Sequence, residues 1–455
     1  MIRERETNIE GYPGRIAINH LTEKQPGEKV VVVGRIQAVR KHKNVIFADL
    51  TDQTGIIQLT LTNSEGESEQ QLDNIKMGNI VAIDGVYGQS KTGESSVVVD
   101  VCELIAECAQ PIPDKYHGLN NPKERFQNRH IDMISNLEIR DYLAQSSILK
   151  TGLRLGLLKH SFLEFETGVL QSKFEAGLAK PFVTHFNALN KDFYLRLTSE
   201  LRLKMLMIGG LERVYELGQS FRNEGISAIH NPEFTLLEAY AAYTSYEDMM
   251  TVLQEIINES VVMAYGSSKV EADSGTINFS TPWARIDCFK AIREVIGTNL
   301  SPEMSKNELV DALSDHENFD NDMSLAAIYT KLYSKYLAHS IIQPTFVTGL
   351  ASNLSPFIMP EDQNKSISQN SWLIIDGMIV GDFYTDENDP NLLRAAFETQ
   401  ANESVGEVNH KFLDALQYGI PPSSGVGLGV DRLLLSLRPV GVRKNIKEAI
   451  VFPNI

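Results

Sequence analysis

Residues 213–234, RVYELGQSFRNEGISAIHNPEF, decide the fold of this chain, which has 455 residues in all. The first half of the stretch predicts a strand, and a loop over 225–231 turns back into a second strand over 234–239. Since neighbouring side chains on a strand alternate between its faces, we expect Arg222 and Glu224 to share one face. The stretch therefore predicts a β-hairpin that carries a cation and an acid side by side.

Four side chains of this hairpin suit a nucleotide. Arg222 matches a phosphate, Glu224 the amino group of adenine and His230 a distal phosphate, while the ring of Phe234 can stack on a base. The same residues also fit a plain hairpin with an exposed salt bridge. Chemistry alone leaves both interpretations open.

A second informative stretch is 425–434, GVGLGVDRLL. Glycine at every second position gives a strand one bare face, which a flat ligand or another backbone can approach closely. Arg432 opens the helix predicted to follow, where a phosphate contact is expected. No Gly-Lys-Ser or Gly-Lys-Thr follows, so this is not a P-loop. A ligand face and tight helix–sheet packing both remain open.

Five short strands are predicted ahead of these motifs, over 29–40, 44–50, 55–62, 78–87 and 95–105. Their spacing indicates a small barrel or a sandwich, and the oligonucleotide-binding (OB) barrel is the five-stranded choice. The prolines and asparagines of 111–122 cannot continue a sheet and predict a linker. Beyond it, 137–166 has helical periodicity, and 372–379 is predicted to be a strand.

Composition excludes several classes of protein. A net charge of −17 excludes a generally basic surface for nucleic acid, although it leaves room for a local basic patch. Three cysteines without a CxxC motif form neither a disulfide framework nor a zinc site. No run of about 18 apolar residues predicts a membrane span, and no apolar signal core is found near residue 1. A reducing cytoplasm is therefore expected.

The two motifs resemble a known family. Phe221-Arg-Asn-Glu224 is similar to motif 2 of class II aminoacyl-tRNA synthetases, and 425–434 resembles their motif 3. The sequence around them is most similar to class II lysyl-tRNA synthetases, or to a paralogue diverged from them. The resemblance covers about residues 9–453. It implies an α+β fold: an N-terminal OB-fold β-barrel, 1–108, a linker, 109–130, and a class II synthetase catalytic domain on an antiparallel sheet, 131–455.

The resemblance also implies the roles of individual residues. ATP would be bound by Arg222, Glu224, His230, Asn231, Phe234 and Arg432, of which Arg222 and Arg432 would be catalytic because they hold phosphates. The amino acid would be bound by Glu200, Glu238 and Tyr240. An anticodon base would be read in the barrel by Arg40, Phe47 and Gln58, unless Phe47 is a buried core residue. ATP, Mg²⁺, an amino acid and tRNA are the implied ligands, and the family's dimers imply a homodimer.

One segment departs from the family pattern. The family has a strand with two metal-binding glutamates, followed by Asn-Gly-Phe-Ser-Glu. Aligned on Phe383, the glutamates become Ser371 and Met378, the carboxylate-binding asparagine becomes Gly381, and the final acid becomes Thr385. A shift of one residue would instead bring Asp386 or Glu387 into that last place. Methionine does not replace a carboxylate ligand of Mg²⁺, so the metal residues are unknown.

Three functions are compatible with these observations. The chain is a working lysyl-tRNA synthetase, or it activates another carboxylic acid or uses an acceptor other than tRNA, or it binds tRNA or a nucleotide without catalysis. All three keep the nucleotide motifs, and they differ in what becomes of the amino-acid and metal residues.

Overall fold

The computed structural model describes residues 12–42, 45–62, 73–89, 93–113, 119–173, 179–317, 319, 323–352, 355, 357–403 and 409–454. Contacts within the chain divide it into two compact units, Met1–Arg140 and Asp141–Ile455.

The first unit contains a closed five-stranded barrel with the strand order β1-β2-β3-β5-β4. The strands are Lys29–Lys41 (β1), Val45–Thr51 (β2), Ile56–Thr62 (β3), Ile80–Gln89 (β4) and Ser95–Ala106 (β5). Alternate apolar side chains fill the barrel: Val30, Val32 and Ile36 are at most 2% exposed. The predicted OB-type barrel is confirmed.

Two short helices follow the barrel, Pro122–Gln127 (α1) and Arg129–Ser135 (α2). The side chain of Asn121 accepts a hydrogen bond from the backbone N–H of Lys123, and Pro122 takes the first helical position. Asparagine before proline thus begins a helix, because the cap satisfies a free N–H and proline has none to lose. The segment 109–130 contains this helix, and its role as a domain boundary stays a prediction.

The second unit is built on an eight-stranded sheet with the order β14-β15-β16-β17-β18-β11-β10-β6. Its strands are Leu163–Glu164 (β6), Arg213–Phe221 (β10), Glu233–Ala242 (β11), Ala284–Asp287 (β14), Thr345–Thr348 (β15), Asn370–Ile375 (β16), Met378–Thr385 (β17) and Ser423–Gly429 (β18). Pairing is antiparallel from β15 to β10. It is parallel at both edges, β14–β15 and β10–β6, so the sheet is mixed and not wholly antiparallel.

The remaining strands form two smaller sheets. One has the order β7-β9-β8, and the other is the hairpin β12–β13. They consist of Leu170–Gln171 (β7), Val183–Phe186 (β8), Lys191–Leu195 (β9), Lys269–Ala272 (β12) and Gly275–Asn278 (β13).

Helices cover the large sheet. They are Leu137–Lys159 (α3), Glu200–Ile208 (α4), Tyr246–Tyr265 (α5), Cys288–Ile296 (α6), Lys306–Ala312 (α7), Leu325–Tyr336 (α8), Pro390–Glu403 (α9), His410–Leu416 (α10), Val430–Ser436 (α11) and Ile446–Ala449 (α12). Helices α3, α5 and α11 share one apolar core with the sheet, and α6 and α8 pack in a second core against β15 and β16. Within the described part of the chain, no helix has the length and apolar character that a membrane crossing requires.

Two adjoining cavities form the candidate active site

The hairpin β10–β11 carries the first motif at one end. Its register runs from Arg213 opposite Ala241 to Phe221 opposite Glu233. Strand β10 ends at Phe221, so Arg222 and Glu224 lie in the loop and not, as predicted, on one face of the strand. The backbone N–H of Arg222 donates to the carbonyl of Pro232 at 2.8 Å, which closes the loop at its base.

A cavity of about 230 Å³ opens beside this loop. Its walls come from the loop, from β17 and from the junction of β18 with α11. The cavity brings together all six residues predicted to bind the nucleotide: Arg222, Glu224, His230, Asn231, Phe234 and Arg432. Three separate segments of the sequence therefore meet at one place.

The electrostatics of this cavity favour an anion. Burial lowers the pKa of the His230 imidazole, and the charges of Arg432 and Arg222 lower it further, against the opposing effect of Glu224. The imidazole lies in the field of two guanidinium groups, and its Nδ1 is 2.8 Å from the hydroxyl of Ser227. A bound phosphate would relieve this crowding of positive charge.

Local contacts fix the shape of the nucleotide cavity. The guanidinium of Arg222 lies 5.3 Å from the centre of the Phe234 ring, and Arg432 donates to the carbonyl of Ile379 at 2.9 Å. Asn231 is 7% exposed and donates to the carbonyl of Glu233 at 2.6 Å. These contacts hold the loop, the ring and both arginines around the same space.

The glycines of β18 serve two purposes. A Cβ atom at Gly425 would lie 2.4 Å from the ring of Tyr240, whereas one at Gly427 would meet nothing within 4 Å. Gly425 is thus needed for close packing, and Gly427 borders open space. The close packing at Gly425 is against a ring of the neighbouring strand and not against a helix, and the ligand face at Gly427 stays a prediction. Arg432 lies in the first turn of α11, as predicted.

A second cavity, of about 550 Å³, adjoins the first. Among the residues predicted to bind the amino acid, Glu200 and Glu238 line it. Tyr240 is fully buried behind its wall, and its hydroxyl is 2.6 Å from that of Tyr384, which does line the cavity. Two of the three predicted residues therefore line this cavity and Tyr240 does not, while Tyr384, which was not predicted, does.

Hydrogen bonds from the chain itself satisfy Glu238. Its carboxylate accepts from the hydroxyls of Thr198 and Ser199 and from the backbone N–H of Ser199. Burial raises the pKa of Glu238, and these hydrogen bonds oppose that rise. Glu238 is at once a satisfied acid and part of the cavity wall.

Lys204 is a site residue that sequence reasoning missed. It is 5% exposed, and its ammonium lies 2.6 Å from Glu200 and 2.7 Å from Asp386. The same ammonium is 5.4 Å from the ring centre of Tyr240 and 5.8 Å from that of Tyr384. The spacing of Glu200 and Lys204 on α4 was the available signal, because residues four apart on a helix are neighbours.

The hairpin β16–β17 decides which residues face the cavities. The predicted single strand over 372–379 is wrong: β16 ends at Ile375, and a turn at Asp376-Gly377 leads into β17. The register shifts between Leu373, opposite Gly381, and Ile374, opposite Ile379. One extra residue on β17 therefore forms a bulge.

Three residues of the Phe383 alignment, Ser371, Met378 and Thr385, are buried, whereas Gly381 lines the smaller cavity. Ser371 and Met378 are 0% and 2% exposed, and Met378 and Phe383 belong to the apolar core. Their neighbours Ile379 and Asp382 line the nucleotide cavity instead. Trp372, Ile379, Asp382 and Asp386 each lie one position after a residue of the Phe383 alignment, and Asp386 is the acid that a shift of one residue brings into the place of Thr385.

Four residues line both cavities: Arg222, Leu236, Asp382 and Gly427. Asp382 has one carboxylate oxygen that is buried without a partner among the described residues. Burial raises the pKa of Asp382 to about 7, which a hydrogen bond with Trp372 opposes and the charge of Glu200 reinforces. The junction therefore holds a guanidinium and a carboxyl group within reach of both cavities.

The residues of this site do not fit a metal ion held by the protein. Across the described ranges, no group of three or more His, Cys, Asp or Glu side chains is arranged to hold a metal. Trp372 and Ile379, which share the face of Asp382, provide no oxygen ligands from their side chains.

In the barrel, the three predicted nucleic-acid residues share the outer face. Arg40 is opposite Phe47 in the pairing of β1 with β2, and Gln58 is opposite Asp49 in that of β2 with β3. Phe47 is half-exposed and meets the ring of His42 edge-on, with ring centres 5.8 Å apart. Phe47 is therefore not a core residue. Arg40 makes two hydrogen bonds with Asp49, at 3.0 and 2.7 Å.

A five-stranded OB barrel, followed by a mixed sheet with an arginine-lined nucleotide cavity, defines the architecture of a class II synthetase. The chain belongs to the family described as tRNA synthetases class II (D, K and N), whose profile matches residues 121–455. A second profile, OB-fold nucleic acid binding domain, matches residues 30–105.

Curated relatives agree with this membership. A lysine–tRNA ligase of Clostridium perfringens is 34% identical over 446 residues, which cover 95% of this chain and 88% of the relative. A lysine–tRNA ligase of Methanoculleus marisnigri is 35% identical over 440 residues, 94% of this chain and 86% of the relative. One of Enterococcus faecalis is 33% identical over 448 residues, 96% and 89% respectively.

Proposed function

We propose that the chain is an ATP-dependent aminoacyl-tRNA ligase of the lysine type, which activates its amino acid as an adenylate and transfers it to tRNA. The observation that carries the proposal is the junction of two cavities at Arg222, one suited to a nucleotide and the other lined with acids. The names of the relatives, lysine–tRNA ligases at 33–35% identity, support it.

The nucleotide takes the smaller cavity. We assign the α-phosphate to Arg222 and the terminal phosphate to His230 and Arg432, because guanidinium groups match phosphate oxygens and the field there is positive. The adenine ring stacks on Phe234, and its amino group donates to Glu224. Asn231 holds the loop in the shape that this arrangement needs.

The amino acid takes the larger cavity. Among the described residues, three carboxylates besides Asp382 line it against two cations: Glu200, Glu238 and Glu387 against Lys204 and Arg222. An excess of negative charge favours a cationic substrate such as lysine. Glu200 is assigned to the α-amino group and Glu238 to the far end of the side chain, where Tyr384 lines the cavity and the buried Tyr240 contacts it through its hydroxyl.

Activation takes place at the junction of the cavities. A carboxylate oxygen of the amino acid attacks the α-phosphorus, the bond to the bridging oxygen breaks, and pyrophosphate leaves. In the second step, the terminal ribose hydroxyl of tRNA attacks the acyl carbon, and AMP leaves. The protein contributes mainly positioning and charge stabilisation, and Arg222 supplies the charge closest to the reacting phosphorus.

Mg²⁺ commonly accompanies ATP, and the family implies it for this chain. The cavity-facing positions Trp372 and Ile379 supply no carboxylate pair for it. We therefore propose that the family's metal-binding residues are altered here, and no step above depends on a metal held by the protein.

This alteration favours a second candidate function, activation of a different carboxylic acid or transfer to an acceptor other than tRNA. Trp372, Ile379 and Asp382 change the surroundings of the phosphates and the reacting carboxylate, while the nucleotide residues are retained. The two candidates share the adenylation step and differ in the substrate.

The barrel and the surface of the second unit support the remaining assignments. We assign the anticodon to the outer barrel face of Arg40, Phe47 and Gln58.

We propose a homodimer through exposed apolar side chains of α3 and the neighbouring short strands: Leu155, Leu158, Leu163, Leu170 and Val183. The free cysteines, none of which is disulfide-bonded, fit the cytoplasm.

The test is pyrophosphate exchange over a panel of amino acids, followed by charging of tRNA. The proposal expects lysine-dependent exchange and lysyl-tRNA. Arg222→Ala should lose roughly 10²-fold or more in rate, as for removal of a preorganised charge, and Arg285→Ala, an exposed arginine on β14, should not. Exchange with another acid only would favour the second candidate. Nucleotide binding without any exchange would refute both.

A further inference from the structure

Asp382 occupies an unusual place for an acid. It lines both cavities, beside Arg222 and Gly427, at the point where their contents must meet. If the nucleotide and an amino acid bind as proposed above, on which this inference rests, two anions converge here: the carboxylate that reacts and the α-phosphate that it attacks. An ionised aspartate would add a third negative charge at the same point.

The surroundings of Asp382 do not neutralise it. One oxygen is buried without a partner within the described chain, and Trp372 on the adjacent strand is its hydrogen-bond partner. Lys204, the nearest ammonium of the larger cavity, is already held by Glu200 and Asp386. The charged and titratable groups that line these cavities around it are Glu200 and Lys204 on α4, Arg222, Glu224 and His230 in the β10–β11 loop, Glu238 on β11, Tyr384 on β17, Glu387 after β17, and Asp431 and Arg432 on α11.

We propose that Asp382 binds substrate in its protonated form and donates a hydrogen bond from its carboxyl O–H to the substrate carboxylate, next to Arg222. The substrate carboxylate is then bound by the neutral Asp382 carboxyl on one side and by the Arg222 guanidinium on the other. Asp382 thereby becomes a determinant of substrate binding. It favours ligands that place a carboxylate at the junction, and substrate binds more weakly when Asp382 itself is ionised. No proton is consumed, since the hydrogen remains on Asp382 through the attack.

This arrangement makes substrate binding sensitive to pH. Burial raises the pKa of Asp382 to about 7, so the competent, protonated fraction falls as pH rises through that value. For a single group titrating there, kcat/KM for the amino acid should fall roughly 25-fold between pH 6.5 and 8.5, in proportion to the protonated fraction. At saturating amino acid, kcat should change far less, because binding itself favours the protonated form.

The experiment measures pyrophosphate exchange from pH 6 to 9 on the full chain and on Asp382→Asn, across the amino-acid panel. Asparagine is a permanent neutral donor, so the variant should match the parent at pH 6.5 and exceed it at pH 8.5. Burial and the neighbouring arginines lower the pKa of His230, and this residue is the same in both proteins, so its contribution cancels in their ratio. Glu387→Gln is the matched control, since it removes another acid of the same cavity and should keep the parent's pH slope.

The possible outcomes distinguish a failure of the role proposed for Asp382 from a failure of the proposed function. Exchange that is equally pH-dependent in Asp382→Asn, or that the variant loses at every pH, would overturn the role of Asp382, since the latter shows a need for its charged form. Absence of exchange in both proteins at every pH would overturn the proposed function, and the role of Asp382 with it. A thermal melt of each variant verifies that the comparison is made on folded protein.

Discussion

At the residue scale, the site depends on an ammonium group that belongs to the protein. Lys204 joins Glu200 on its own helix to Asp386, which lies far along the chain. Burial raises the pKa of Asp386, and Lys204 opposes that rise. Sequence spacing could reveal the pair within the helix, but only the fold brings Asp386 to the same ammonium. The acid that the one-residue shift moves into the place of Thr385 is thus already paired within the chain.

Lys204→Met should destabilise the fold by about 3–5 kcal/mol, because it leaves the buried Asp386 without a counter-charge. The loss should be larger at pH 8 than at pH 5, since the pKa of Asp386 is raised and a protonated carboxyl needs no cation. Urea unfolding at both pH values measures it. Lys159→Met, which breaks an exposed pair with Glu259, is the control and should leave stability nearly unchanged. Equal, small effects of the two variants would contradict this account.

At the scale of elements, strand parity assigns the site residues. A strand alternates its faces, so an alignment error of one residue exchanges every cavity residue for a core residue. The bulge in β17 reverses the alternation of faces once more. As a result, Ile379 and Asp382 lie on the same face of the strand although they are three residues apart. Sequence similarity named this hairpin as the point of departure. It could not fix the register, because a match at Phe383 does not show which residues of the two strands lie opposite each other.

The same parity exposes Phe47 on the barrel. If an anticodon base stacks on it, Phe47→Ala should weaken tRNA binding by about 1–3 kcal/mol. Fluorescence anisotropy at a fixed salt concentration measures this loss. Val101→Ala, an exposed residue on β5, is the matched control and should bind as the parent does. Unchanged affinity of Phe47→Ala would remove the barrel face from the tRNA interface.

At the scale of the whole molecule, the chain consists of two units, each with its own apolar core. The barrel fills itself with alternating side chains, and the large sheet builds a core of its own with α3, α5 and α11. The family's profiles match the two regions separately, at 30–105 and 121–455. The second unit leaves apolar side chains exposed on α3, among them Leu155 at 49% and Leu158 at 62%.

Leu158→Glu should therefore convert a dimer into monomers at concentrations where the parent is dimeric. A two-fold interface contains each substitution twice, and it would bury two unpaired carboxylates. Size-exclusion chromatography with light scattering reports the mass. Val295→Glu, an exposed residue on α6, is the control and should remain dimeric. A parent that is monomeric at every concentration would refute the dimer.

The sequence by itself determined the barrel, the hairpin that leads to Arg222 and the glycine strand, because each depends on local periodicity, turns and short motifs. The six residues predicted to bind the nucleotide line one cavity, and their roles stay predictions. Only the tertiary structure decided that Phe47 lies outside the barrel core, that Lys204 meets Asp386, and that Asp382 lines both cavities whereas Gly381 lines only the smaller one. These facts depend on strand register and on contacts between distant segments. Register is set by one bulge and by packing against the sheet, and neither leaves a mark in the spacing of the residues.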